Sequence, residues 1–355
     1  MNTKKNNKGY LVLMLTITVV TLMFSSMMVF FSSAMEEYKS ASHEAGHTKA
    51  RYLAQGGMDV VRMVLQQIDL NILYDYGIME GLPPVNFGGG MISFRIEEES
   101  GKLNINRLVN FYSDEEDQSV RDLFNRLSER LGISYEIWDA VVDWIDENDD
   151  SMPRGFEKND YERMNPPRRI KNGRIHSVEE LLLIPGFTQS IIYEDLRTEE
   201  EKELYSDDFL TEEEQVTITD EDFILANNIT VYLPVEPDKV GKAGKKANEI
   251  NINSAPYHVL LSLSEFMTPE AAKAIIMKRD EVGRFKDINE IKNISELNVP
   301  SIGGKSLVQE LLDLGLVTTE ETVYKIVVEA SLDSQTAHVM GIYDASAKKF
   351  ALYLE

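Results

Sequence analysis

Residues 10–35 read YLVLMLTITVVTLMFSSMMVFFSSAM, and no charged side chain appears between Gly9 and Glu36. A run of this length crosses a hydrocarbon core of about 30 Å as a single helix. Ahead of it stand Lys4, Lys5 and Lys8 with no acid. The positive-inside rule puts that end in the cytoplasm and the bulk of the chain on the far side. A secretory signal peptide cut near Ser32-Ser33-Ala34 is the rival reading, but its apolar region spans about 7–15 residues. This run is longer, so the sequence predicts a retained single-pass anchor.

Beyond the anchor, Tyr38, Ala41, Ala45, Tyr52, Leu53, Val60, Val61, Val64, Leu65 and Ile68 recur every three or four residues with polar residues between. That spacing describes one apolar stripe on a helix. No proline interrupts residues 10–70, so anchor and stripe can form one rod of about 90 Å at about 1.5 Å per residue. An anchor followed by a separate domain helix fits the pattern equally well. Gly56-Gly57 is a soft point, since glycine costs about 1 kcal/mol relative to alanine inside a helix.

The remaining composition narrows the function classes. With 43% hydrophobic and 27% charged residues, the chain has the balance of a folded protein. It has no cysteine, which excludes disulfides, thiol chemistry and thiolate zinc sites. The net charge is −24; such a surface repels phosphate backbones and excludes nucleic acid as a partner. No nucleophile–base pair, phosphate loop or cofactor fingerprint is present, so the sequence predicts a protein that is not an enzyme. The five histidines (His43, His47, His176, His258, His338) are scattered and are expected at the surface.

Further along, MISFRIEEESGKLNINRL (91–108) alternates as strand, turn and strand. An acidic helical region follows to residue 226, with amphipathic runs at SVRDLFNRLSERL (119–131) and WDAVVDWI (138–145). Ser177 and Glu180 have capping-box spacing ahead of Leu181, and Pro185-Gly186 ends that helix. Strand-like text returns at NITVYLP (228–234) and NEININSA, separated by the Gly/Lys-rich loop 235–248. A second helical block fills 255–316, and the tail alternates like an antiparallel meander.

Acids supply the one chemical candidate. Asp143, Asp146, Glu147, Asp149 and Asp150 close a helix, and Glu157, Asp160 and Glu162 follow a short Pro/Gly loop. Calcium takes six to eight oxygens from such loops, although the spacing is not that of an EF-hand. A solvated acidic loop is the alternative. A second run, 194–222, holds fourteen acids against two bases and reads as a solvated segment. IPGF (184–187) and the 255–290 block have helix-hairpin-helix character, with Lys278, Arg279, Arg284 and Lys286 nearby; nucleic-acid binding needs a clustered basic face.

These segments resemble one family. A basic leader ending in Lys8-Gly9 before Tyr10 is similar to the type IV pilin class. DWIDxxD (143–149), NPP…NG…SVEELLLIPG (165–186) and ININSAP (250–256) stand in the order of the minor pseudopilins called protein K of type II secretion, the general secretion pathway protein K family. The resemblance implies an α+β fold: a pilin-like long N-terminal helix packed on an antiparallel sheet, with an inserted mainly helical, SAM-like module. The expected parts are a prepilin leader at 1–9, the transmembrane half-helix at 10–35, pilin-like helix and first strands at 36–110, and the inserted acidic helical domain at 111–226. Strands with the Gly/Lys-rich loop follow at 227–254, a second helical segment at 255–316, and C-terminal strands at 317–355.

The resemblance also implies cleavage by the prepilin peptidase after Gly9 and methylation of Tyr10. Most of the class carries glutamate at the fifth mature position. Here that position is Met14, as in protein K. Expected partners are the minor pseudopilins I and J, the pseudopilus core, the prepilin peptidase and the bacterial inner membrane, with the main body periplasmic and the subunit at the pseudopilus tip. Family members bind calcium in the helical module; Asp146, Asp149, Asp150 and Asp160 are the expected ligands. The competing reading is a minor pilin or tip adhesin of a type IV pilus, which a fifth-position glutamate and a C-terminal disulfide would favour.

Overall fold

The computed structural model describes residues 7–79, 82–110, 112–202, 218–233, 249–301 and 304–354. The leader residues 1–6, the whole 235–248 loop and residues 203–217 of the acidic run lie outside this range. Two compact units divide the chain: Met1–Arg95 with Val327–Met340 and Leu354–Glu355, and Ile96–Ile326 with Gly341–Tyr353.

In the first unit, anchor and stripe form one helix, α1 (Asn7–Gln67). It alone among the described residues is long and apolar enough to cross a membrane. Within the segment 10–35, Thr18, Thr21 and Ser26 hydroxyls fold back onto carbonyls four residues earlier, so these polar groups are satisfied without water. The packing face differs from the expected stripe. It runs through Ala50, Ala54, Met58, Val61 and Leu65, while Tyr38, Tyr52 and Val60 point outward. Close approach explains the choice of small residues. A Cβ at Gly57 would lie 2.8 Å from Val328 Cγ1 and 3.1 Å from Ile92 Cγ2. The glycine read as a soft point is therefore where the helix meets the sheet.

That sheet has five strands in the order β1 (Leu82–Phe87), β2 (Gly90–Glu98), β9 (Val323–Leu332), β10 (Gln335–Asp344) and β11 (Lys349–Leu354). β1 and β2 pair antiparallel with Val85 opposite Ile92. From Tyr324 on, β9 alternates buried Tyr324, Ile326, Val328 and Ala330 with more exposed neighbours, the period-two pattern of a sheet with one covered face.

Six short strands stand outside this sheet among the described residues. β3 (Leu103–Asn104) pairs in parallel with β6 (Ile229–Thr230), β4 (Val109–Asn110) antiparallel with β5 (Glu115–Glu116), and β7 (Ile250–Asn251) in parallel with β8 (Val317–Thr318). The expected strands at 227–254 therefore form two-residue ladders outside the main sheet.

The second unit holds the helical module. After α2 (Leu70–Asp75) of the first unit come α3 (Gln118–Arg130), α4 (Ile137–Ile145), α5 (Lys158–Arg163) and α6 (Gln189–Tyr193). Asp117 caps α3 by accepting from Ser119 N and Val120 N, a contact worth about 1 kcal/mol. The core centres on Trp138, whose ring lies 4.6 Å from Phe124 and 5.8 Å from Phe187 and whose Nε1 donates to Ser128 Oγ at 2.7 Å. The helix Tyr257–Ser262 packs here too, with Arg126 Nε donating to Ser262 O at 2.6 Å. At Ser177 the expected cap is absent. Val178–Leu183 is a 3-10 helix without a side-chain cap bond, because Glu180 instead accepts from Lys171 Nζ, Trp144 Nε1 and His176 N.

Candidate cation site in the helical module

Helix α4 is apolar on nearly every face, so its two aspartates are carried into the interior with the tryptophans. They meet different surroundings. Asp139 forms an ion pair with Arg121, which also holds Glu116 at 2.9 Å. Asp143, fully buried, has no such partner; it accepts from Met152 N at 3.0 Å and Ser151 Oγ at 3.2 Å. The loop can close this tightly because residue 155 is glycine. A Cβ there would stand 1.7 Å from Asp143 Oδ2.

Asp146 ends α4 and Glu157 precedes α5. They are only 4% and 5% exposed. Asp146 Oδ2 accepts from Asn148 Nδ2 at 2.9 Å, while its Oδ1 and both Glu157 carboxylate oxygens lack a close hydrogen-bond partner, Glu157 only facing the first amides of α5. The buried Tyr161 hydroxyl is likewise unpartnered, its ring 5.3 Å from Trp144. Burial first, then the charges of Asp143, Glu157 and Asp114, push Asp146 up to about 7. Burial and then Asp143 push Glu157 up to about 7 as well. Asp143 is raised chiefly by burial.

A buried carboxylate without a counter-charge is costly. Such a group either keeps its proton or takes a cation. Orphaned carboxylate oxygens at the two ends of one loop fit a hard cation that prefers oxygen ligands. Among the described residues, no three His, Cys, Asp or Glu side chains stand together in a closed metal-binding group; the acids here converge without closing.

Of the residues expected from sequence, Asp146 lies at the centre of this site. Asp149 is exposed and contributes its charge to Glu157. Asp150 is exposed, with its amide donating to Asn148 Oδ1. Asp160 Oδ2 accepts from Glu157 N at 3.1 Å and so holds the start of α5. Asp143 and Glu157 belonged to the acid run but were not singled out, and Asp114 was missed. Asp114 has a φ of 55° in the β4–β5 turn and accepts from Glu147 N at 3.1 Å. Glycine 155 beside Glu157 was the available signal.

The basic residues of the hairpin block are engaged elsewhere. Arg284 pairs with Glu321 and lies 3.6 Å from Glu98, Lys278 pairs with Glu281 at 2.7 Å, and Arg279 donates to Ile252 O and Ala255 O. Four histidines are exposed, as expected. His258 is not: it is 3% exposed, since it lies on a helix buried against α3.

A long apolar-to-amphipathic helix on an antiparallel sheet, with a helical module inserted between early and late strands, defines a pilin-like anchored protein. Residues 101–197 match the family model for type II secretion system (T2SS), protein K, and residues 245–302 match that for the helix-hairpin-helix motif. The type II secretion system protein K of Pseudomonas aeruginosa is 28% identical over 196 residues, which is 51% of this chain and 57% of that relative. The match thus spans little more than half of the relative's length. The crystal structure of the GspK-GspI-GspJ complex from the enterotoxigenic Escherichia coli type 2 secretion system contains a chain with the same fold. Its TM-score is 0.54 at 13% identity, covering 91% of this chain and 97% of that one. Over residues 101–197 the chain is therefore similar to protein K of type II secretion, and it shares the fold of a chain in that complex.

Proposed function

We propose that this chain is a non-enzymatic structural subunit of the type II secretion pseudopilus. It sits at the tip, starts assembly with the minor pseudopilins I and J, and so supports protein export across the outer membrane. The observation that carries this reading is the unbroken helix α1, which runs from a charge-free membrane-length segment directly into the packing face of the head. The protein K match at 101–197 and the fold shared with a chain of the GspK-GspI-GspJ complex support it. The prepilin peptidase cuts after Gly9 and Tyr10 becomes the methylated N-terminus. Met14 leaves no carboxylate to pair with the terminal amine of a subunit further toward the tip, so the helix suits a position with nothing beyond it. The head lies on the periplasmic side of the inner membrane, where the leader lysines orient it.

The helical module holds calcium in this reading. Asp146 and Glu157 offer the buried, unpartnered oxygens; Asp149 and Asp150 stand at the exposed rim, and Asp160 fixes the helix start beside them. Bound calcium supplies the positive charge that the buried acids lack. The chain's own part is to bring two ends of one loop together over Gly155.

Co-expression with the minor pseudopilins I and J of the same bacterium, followed by detergent extraction of membranes, tests the tip assignment. The expected result is a stable ternary complex. A folded chain that leaves the column alone contradicts it.

A further inference from the structure

His258 lies in the second unit, remote in sequence from the candidate cation site. Its helix, Tyr257–Ser262, is buried along its length. Neither ring nitrogen has a hydrogen-bond partner. The imidazole packs 4.2 Å from the Phe223 ring and 5.1 Å from the Tyr257 ring, between centroids. The Arg197 guanidinium sits 3.2 Å from the centre of the same Phe223 ring. Arg197 in turn binds Asp195 at 2.7 Å and Asp220 at 2.8 Å. One arginine therefore ties the segment after α6 to the 3-10 turn Asp220–Phe223, and that turn lies over the histidine.

The electrostatics of this seam favour a neutral ring. Burial is the largest effect on His258, followed by Arg197 from the segment after α6 and Arg130 from the end of α3; Asp195 is the opposing charge. The other acids of the seam, Asp220 and Asp222, are engaged with Arg197 and with the Thr219 cap. A proton on the ring would be a buried cation with no acceptor, close to an arginine already seated on the shared aromatic ring.

We propose that His258 is an acid-sensitive latch, neutral while the Arg197–Phe223 clasp is docked and protonated when the clasp is released. The inference does not depend on the function proposed above. Together these effects push the folded-state value down to about 3, against an ordinary value of about 6.5. Such a depressed group leaves the docked state at full strength above pH 6.5 and weakens it as pH falls toward 3. Over the step from pH 7.5 to pH 5, the docked-to-released ratio drops by about 30-fold at most. Release bares Phe223 and separates Asp220 from Arg197, so the acidic face of the module is remodelled by pH.

Hydrogen exchange on the full-length chain in detergent, saturated with calcium and read as protection factors, tests this. Protection across 218–228 is expected to fall about tenfold or more between pH 7.5 and pH 5, and less than about twofold in His258→Phe. An unchanged wild type, or an equal loss in both proteins, overturns the proposal. Should the variant fail to fold, exchange of the imidazole C2 proton in the wild type decides the matter. A native midpoint for His258 below about 5.5 supports the latch, and one at or above it refutes the latch.

Discussion

Helix α4 carries two aspartates four residues apart into the same core, and their environments differ in one respect. Asp139 meets Arg121, which also takes Glu116, so each acid has a counter-charge within the protein. Asp143 faces Asp146 and Glu157 across a tight loop, and no ion pair of a described residue offsets them. A third cluster, Glu98 with Arg284 and Glu321, also sets one arginine between two acids, yet burial still raises Glu98 to about 7. An arginine thus stands beside the acids of the first and third clusters. Where it does not, burial leaves room for an external cation.

Arg121→Ala tests the paired side and has the largest expected effect. It strands Asp139 and Glu116 in the interior, and loss of one partner of a buried pair costs about 3–5 kcal/mol. Urea unfolding should show it as a fall in midpoint that calcium does not rescue.

The uncompensated side responds to calcium instead. A ligand at about 100 times its dissociation constant stabilises by about 2.7 kcal/mol, so chelation should lower the melting temperature of the wild type. In Asp146→Asn and Glu157→Gln that response should vanish, while the calcium-free proteins melt at or above the calcium-free wild type. A wild type indifferent to chelator would leave the acids as a protonated cluster.

A smaller effect distinguishes the clusters by pH. Asp146 and Glu157 have folded values near 7, above their ordinary range. The folded state then binds more protons than the unfolded state between about pH 4 and 7, so raising pH through that window destabilises the calcium-free protein. The expected loss is on the order of 1–2 kcal/mol from pH 5 to pH 8, and saturating calcium should reverse the slope.

Much of this was readable from residue order. The charge-free run at 10–35 needs no tertiary information to be an anchor, and the alternation in 323–354 announces paired strands. The apolar stripe of α1 was half legible. Tyr52 and Val60 have the right spacing, yet the helix buries Ala50 and Ala54 instead, and Gly57 stands where a Cβ would meet Val328. Ser177 and Glu180 have capping-box spacing, but Lys171 and Trp144 outcompeted that local contact. The cation candidate was legible as an acid run; which acids matter was not. Exposed Asp150 and buried Asp143 look alike in sequence, and closure of the loop over Gly155 separates them. His258 was expected at the surface because nothing in its neighbours announces that its helix is buried on every face.

The central claim is that α1 begins as the trimmed helix of a pseudopilin. Mass spectrometry of the N-terminus, on protein extracted from membranes of a strain with an active prepilin peptidase, tests it most directly. The account predicts a mature chain starting at Tyr10 with a methylated amine. An intact Met1, or a chain beginning at Met35, would contradict it.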